Sequence, residues 1–363
     1  MSFQDLGIPA SSSTVTVKAF NVVEGTIAVP ASSFFTPVLP GHEHLMAPVF
    51  AFLIENTTTK QRVMFDLGLR KDLENAAPAI AEIFKAGGIT TMSVERDIVE
   101  QLVDTGVDLN SINAVVWRRV DRFLHRCDMS KFPSSTDLVF GQDMARATCA
   151  TDPTSTLLES DLAYGSETRA GQLCRLPARI RWTQSARFFG DGSLYLLDVP
   201  GHLPGHVCAL ARVTPSSFLF LGGDACHHPG LFRPTDKLHK HFPCPGELLA
   251  ATRRSVSATH FSPLNSAGEF DLAARTTPLL DVAENAYYAD PPTARASIEK
   301  MGSFDANADV FVVLAHDSSL MSVVEPFPAL MDDWKAKGWK NLVTWAFLDE
   351  KNPAFIFNSK VSA

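Results

Sequence analysis

Four places in the chain set a metal-competent or acid–base side chain directly after an apolar, strand-like run. Ser193-Leu-Tyr-Leu-Leu-Asp-Val-Pro-Gly-His202 ends in a Pro-Gly turn and an imidazole, and Phe218-Leu-Phe-Leu-Gly-Gly-Asp224 ends in a carboxylate. Val310-Phe-Val-Val-Leu-Ala-His316-Asp317 ends in a His-Asp pair. Ala114-Val-Val-Trp117 runs into the charged stretch Arg118-Arg-Val-Asp-Arg-Phe-Leu-His125-Arg-Cys-Asp128. Strand ends are where open α/β folds gather ligand sites. Imidazoles and a carboxylate converging from separate strand ends form the N/O donor set of zinc, iron or manganese. Taken singly, each residue has an ordinary structural role, since an Asp after Gly-Gly often caps a turn. The signal is the set, in this order. His227 and His228 follow Asp224; adjacent side chains diverge, so at most one faces the site, and His228 is taken as the pocket-lining one.

The elements that must position these residues are legible as short runs of β-branched, aromatic and aliphatic residues bounded by Gly, Pro, Asp or Asn. They are Val15–Val23, Val49–Ile54, Arg62–Phe65, Ala114–Trp117, Asp137–Phe140, Ser193–Val199, Val207–Val213, Ser217–Leu221 and Val310–Leu314. Between them, Ser93 is placed to cap a helix running through Leu102, with Val94, Ile98 and Leu102 on one face. Leu67–Phe84 and Pro326–Lys337 also read as helical. Strands toward both ends with helices between them predict one layered α/β domain with helical insertions, over residues 14–350, flanked by tails at 1–13 and 351–363.

Composition narrows the function classes. A chain of 363 residues with 45% apolar and 20% charged residues is ordinary for a globular protein. A net charge of −8 argues against a nucleic-acid partner, which would ask for a basic face. No apolar run reaches the roughly 18–20 residues of a membrane span, so no membrane partner is expected. The first residues lack the basic flank and apolar core of a secretory signal. Six scattered cysteines without a CxxC pair read as buried thiols in a reducing compartment, so the expectation is a cytoplasmic protein acting on a small molecule.

Taken together, Asp66-Leu-Gly68, Gly201-His202-Leu-Pro-Gly-His206, Gly223-Asp224 and Ala315-His316-Asp317 resemble the metallo-β-lactamase superfamily. Within it, the chain is most similar to the lactonase-like branch, typified by N-acyl homoserine lactonases. Stretches such as Val49-Phe-Ala-Phe-Leu-Ile-Glu55, Phe132-Pro-Ser-Ser-Thr-Asp-Leu-Val139 and Gly223-Asp-Ala-Cys-His-His-Pro-Gly230 extend the likeness over roughly residues 14 to 350. The resemblance implies an αββα sandwich, two packed mixed β-sheets flanked by helices, with the site at one rim. It implies metal ligation by His202, by Asp224 as bridging carboxylate and by His316, with His206 in a supporting, catalytically relevant position.

The chain departs from that pattern after Trp117, where the family carries His-x-His-x-Asp-His. Keeping His125 and Asp128 at the family spacing puts Val120, Arg122 and Leu124 in the other three places. Aligning from the left instead puts Arg119 and Asp121 in the two histidine places, and neither register restores two metal sites. At most His125, His202, Asp224 and His316 survive, enough for one zinc, iron or manganese ion or for none. Arg122, if inward, would pair with Asp224 and polarise a substrate carbonyl in place of an ion, acting in catalysis and in substrate binding. A solvated loop, or an error confined to this stretch of sequence, explains the same residues. The expected activity is hydrolysis of a small lactone, ester or amide in secondary metabolism, with a reduced metal site. The alternatives are a metal-independent, non-hydrolytic step in natural-product biosynthesis and an inactive binding protein.

Overall fold

The computed structural model describes residues 2–72, 75–85, 94–117, 128–141, 144, 147–162, 178–180, 183–255, 277–284 and 287–359. Arg122 and His125 lie outside the described residues.

Two mixed sheets carry the architecture. In the first, β1 (Val15–Asn21), β2 (Phe50–Asn56), β3 (Arg62–Phe65), β4 (Ile112–Trp117) and β5 (Asp137–Phe140) lie side by side in chain order. The first two pairings are antiparallel and the last two parallel. The second sheet contains β6 (Ala178–Ile180), β7 (Thr183–Arg187), β8 (Leu194–Asp198), β9 (Val207–Thr214), β10 (Ser217–Gly223) and β11 (Val310–Leu314), in the order β11-β10-β9-β8-β7-β6. Only β10 and β11 pair in parallel. Because β9 is antiparallel to both β8 and β10, the strands β8, β10 and β11 all run the same way. Their C-terminal ends therefore reach one rim, bringing His202, Asp224 and His316 together.

Side-chain alternation explains why both faces of each sheet are buried. Phe50, Phe52 and Ile54 of β2 join Leu219, Leu221, Phe311 and Val313 in a core between the sheets. Their neighbours Ala51 and Leu53 point into the other core, with Phe220, Val312 and Leu314. A strand buried on both faces must be apolar at nearly every position, as the five buried residues of β11 are.

The sequence-derived strands match, with ends shifted by a residue or two, but three helical expectations need correction. The helix after residue 93 starts at Ile98, capped by Asp97; Ser93, the expected cap, lies outside the described residues. Asp97 accepts from the Val99 and Glu100 N–H groups, and Glu100 accepts from the Asp97 N–H. Among the described residues of Leu67–Phe84 the α-helix begins at Pro78, and Asp66 and Gly68 adopt positive φ in a turn before it. Pro326–Lys337 is a series of turns because its donors serve the sheet edge: Phe327 N–H bonds to Ala19 and Met331 N–H to Val17. That contact covers the open side of β1. The helix Pro291–Asp305, capped by Asp290, falls where no helix was expected.

The two end stretches expected as tails contribute side chains to the core. Phe3 and Leu6 are buried, with the Phe3 ring 5.3 Å from Phe218, and Phe355 and Phe357 are buried as well. Among the described residues, no helix is long and apolar enough to cross a membrane.

Candidate functional site

The loop after β8 is shaped by one glycine. Gly201 has φ +118, and a Cβ there would sit 2.2 Å from the Ala294 nitrogen, so only glycine lets the loop rest on the helix Pro291–Asp305. Three bonds hold it there: Ala289 N–H to the His202 carbonyl at 2.8 Å, Asp290 N–H to the Gly201 carbonyl at 3.0 Å, and the Ser297 hydroxyl to the Pro200 carbonyl at 2.6 Å. His202 is thereby fixed, buried, at the rim.

Asp224 follows directly on β10 and is 0% exposed. Its backbone N–H donates to His206 Nε2 at 3.3 Å, while His206 Nδ1 lies 3.1 Å from the Val199 carbonyl. A carbonyl only accepts and an amide only donates, so His206 is the neutral Nδ1–H tautomer here. Both of its ring nitrogens are engaged in holding the loop, and its action on the site runs through the Asp224 backbone.

Three imidazoles surround the Asp224 carboxylate. His316 Nε2 lies 3.1 Å from Oδ1, and His227 Nε2 lies 3.5 Å from Oδ2. The His202 ring centroid is 5.1 Å from that of His227. One donor atom each from His202, Asp224 and His227 falls within 4.8 Å of the others, all three residues being buried. His316 Nδ1 donates to the Pro48 carbonyl at 2.9 Å, which orients Nε2 toward Asp224. A neutral His316 would thus set a nitrogen lone pair against a carboxylate oxygen. A cation or proton between them removes that repulsion, and an N/O donor set of this kind suits zinc, iron or manganese. The residues present fit a metal ion.

His227 and His228 do diverge, but it is His227 that turns to Asp224. His228 accepts from the Gly230 N–H at Nδ1 (2.9 Å) and donates from Nε2 to the Ala354 carbonyl (2.7 Å), capping the turn Pro229–Leu231. Burial pushes its pKa down to about 4, so it stays neutral. Both ring nitrogens of His228, the residue expected to line the substrate pocket, are thus taken up by backbone partners. Spacing alone did not single out His227, and the Tyr287-Tyr288 pair read as packing; the Tyr288 hydroxyl reaches His227 Nδ1 at 3.2 Å. On the first sheet, Asp66 ends β3 with its Oδ1 accepting from the Leu67 and Gly68 N–H groups at 2.7 and 3.1 Å. Asp128, just beyond the undescribed stretch, caps the turn Met129–Lys131. A cavity of about 620 Å³ bordered by Leu231, Phe232 and Arg295 counts none of the rim residues in its lining.

No family model matches the chain. Comparison with curated proteins finds the metallo-hydrolase mfmC of Annulohypoxylon moriforme, 36% identical over 96% of this chain and 90% of that protein. The γ-lactamase FDB1 of Fusarium pseudograminearum is 34% identical over 95% of this chain and 84% of its own length. The cytochrome P450 monooxygenase mpaDE of Penicillium brevicompactum is 37% identical over 94% of this chain, which spans only 38% of that relative. Among solved structures, a quorum-quenching N-acyl homoserine lactone hydrolase superimposes with a TM-score of 0.55 at 16% identity, covering 88% of this chain and 99% of the other.

Proposed function

We propose, for a chain that belongs to the lactonase-like branch of the metallo-β-lactamase superfamily, that it opens a small five-membered lactone or lactam by hydrolysis at the rim of the sandwich. A γ-lactam and a homoserine lactone, the ring types named in its relatives and structural neighbours, are both five-membered acyl rings. The observation that carries the reading is the buried Asp224 carboxylate among His202, His227 and His316 at the ends of three like-directed strands.

His202, Asp224 and His316 hold one zinc, iron or manganese ion in this reading. The bound ion supplies Lewis acidity toward the acyl oxygen and lowers the pKa of water. Asp224 orients the attacking water by accepting its hydrogen bond, and the loop anchored by Gly201 and His206 keeps that carboxylate in place. Water adds to the acyl carbon, the ring C–O or C–N bond breaks, and the leaving atom takes the proton that water loses. His125 and Arg122, expected from the sequence as a further ligand and a substrate-facing cation, lie outside the described residues. Four described cysteines without disulfides suit a reducing compartment such as the cytoplasm.

The test is elemental analysis of tag-free protein purified without chelator, run beside ring-opening assays on γ-lactones and γ-lactams. About one metal per chain is expected, with turnover lost on chelation and restored by reloading. Turnover that persists in fully metal-free protein would overturn the reading.

A further inference from the structure

The loss of the motif histidines after Trp117 poses a problem: one metal position has too few ligands left on the first sheet. The second sheet carries a histidine that the family-like pattern does not assign. We propose that His227 is a ligand of the same ion, donating through Nε2, and that Tyr288 and Phe34 are built around it as positioning residues. The inference rests on the metal-site reading above and specifies its ligand set.

His227 stands three residues after Asp224, fully buried, with Nε2 on the Oδ2 side of the carboxylate. Its ring is held on three sides. Phe34 stacks on one face at 4.0 Å between centroids and 25° between planes. His316 lies parallel to it at 5.5 Å and 3°. The Tyr288 hydroxyl meets Nδ1 at 3.2 Å. Pinning one ring nitrogen with an oxygen partner directs the other toward a metal, the arrangement that a hydroxyl, carboxylate or carbonyl provides behind ligating histidines. The Pro48 carbonyl does the same for His316.

The Tyr288 ring also lies edge-on to His202 at 5.0 Å, so one aromatic side chain braces both imidazoles. Their donor atoms and that of Asp224 are at most 4.8 Å apart. Two donors at zinc distance lie no more than about 4.2 Å apart, so small side-chain rotations close the set around one ion. With His316, whose Nε2 lies 3.1 Å from Asp224 Oδ1, the set becomes three imidazoles and a carboxylate, the four protein ligands of a tetrahedral ion that expands to five-coordinate when water or substrate joins. All four follow strands of the second sheet, so this set is complete without residues 118–127.

The experiment is titration of metal-free full-length protein with Co²⁺ alone, followed by calorimetry and by the visible d–d spectrum. The variants are His227→Ala, His227→Gln and Tyr288→Phe, with far-UV circular dichroism and thermal unfolding confirming the fold. Wild type is expected to bind one Co²⁺ per chain. His227→Ala and His227→Gln should weaken binding by at least about 100-fold and alter the spectrum, and Tyr288→Phe should weaken it about 10-fold. His227→Gln is the variant to read if His227→Ala fails to fold. Wild-type affinity and spectrum in a folded His227 variant overturn the inference and leave the metal-site reading standing. No Co²⁺ binding by wild type overturns both.

Discussion

Asp224 and Asp305 are buried to the same degree, at 0% and 1% exposure, yet their surroundings differ in kind. Asp305 is gripped by Arg233 through two parallel bonds of 2.8 and 2.7 Å. The Lys340 ammonium sits close by, donating to the backbone carbonyls of Asp305, Asn307 and Val310. Burial works against the Asp305 charge, but Arg233 prevails and holds its pKa below the usual carboxylate value. Burial pushes Lys340 down to about 7. Asp224 is faced instead by imidazoles, whose charge is optional and whose neutral nitrogens are ligands. The first cluster locks the packing of the helix Pro291–Asp305 against the segment around Trp339–Val343. The second can take up an ion. Burial of a carboxylate therefore says little about function; the chemistry of the groups facing it says much more.

Asp332 offers a third case, half-buried, with Oδ1 accepting from the Val17 N–H at 2.9 Å. Burial outweighs that bond and raises its pKa to about 6. Asp305 thus faces the permanent charge of Arg233, Asp224 faces imidazoles, and Asp332 bonds to a backbone amide.

Breaking each arrangement should give a different signature. The largest effect is expected from Asp305→Ala, which strands Arg233 in the interior and should lower the unfolding free energy by about 3–5 kcal/mol in denaturant titrations. Co²⁺ binding by the fraction that remains folded should persist. Equal loss of metal binding would mean that the two clusters are not separable.

Asp224→Ala should do the reverse. Ring opening should fall by at least about 100-fold, while the stability of the metal-free protein changes by less than about 1 kcal/mol. Co²⁺ at about 100 times its Kd should add about 2.7 kcal/mol to wild-type stability and nothing to this variant. A variant that keeps its turnover would remove Asp224 from the site.

The smallest effect is expected at Asp332. Its folded pKa lies above the unfolded value, so the folded state binds the extra proton between about pH 4 and 6. Its contribution is then fully present at low pH and lost as pH rises through about 6. Asp332→Asn keeps the acceptor for Val17 and should stabilise the protein by about 1 kcal/mol at pH 8, allowing for solvent screening, and by nothing at pH 3. Urea midpoints at the two pH values check this, and a gain at pH 3 of equal size would rule out the charge as its cause.

Much of the frame was legible because strands buried on both faces have to be apolar throughout, and such runs stand out between Gly, Pro and Asp. The positions of His202, Asp224 and His316 were legible for the same reason: each directly follows such a run. The helices were read less well. Capping chemistry is local and several residues compete for it, and here the cap is Asp97. Pro326–Lys337 has a helical pattern, but its backbone donors were taken by β1, a partner some 300 residues away in sequence.

The sequence by itself determined which residues stand at strand ends, and with them the family and the rim these residues share, since both follow from short-range order in residue type. Only the tertiary structure decided which of two adjacent histidines faces Asp224. That choice depends on partners far along the chain: the Ala354 carbonyl draws His228 one way, and Phe34 and the Tyr288 hydroxyl hold His227 the other. A side chain's direction is set by what it packs and bonds against, and those contacts exist only once the sheets have closed.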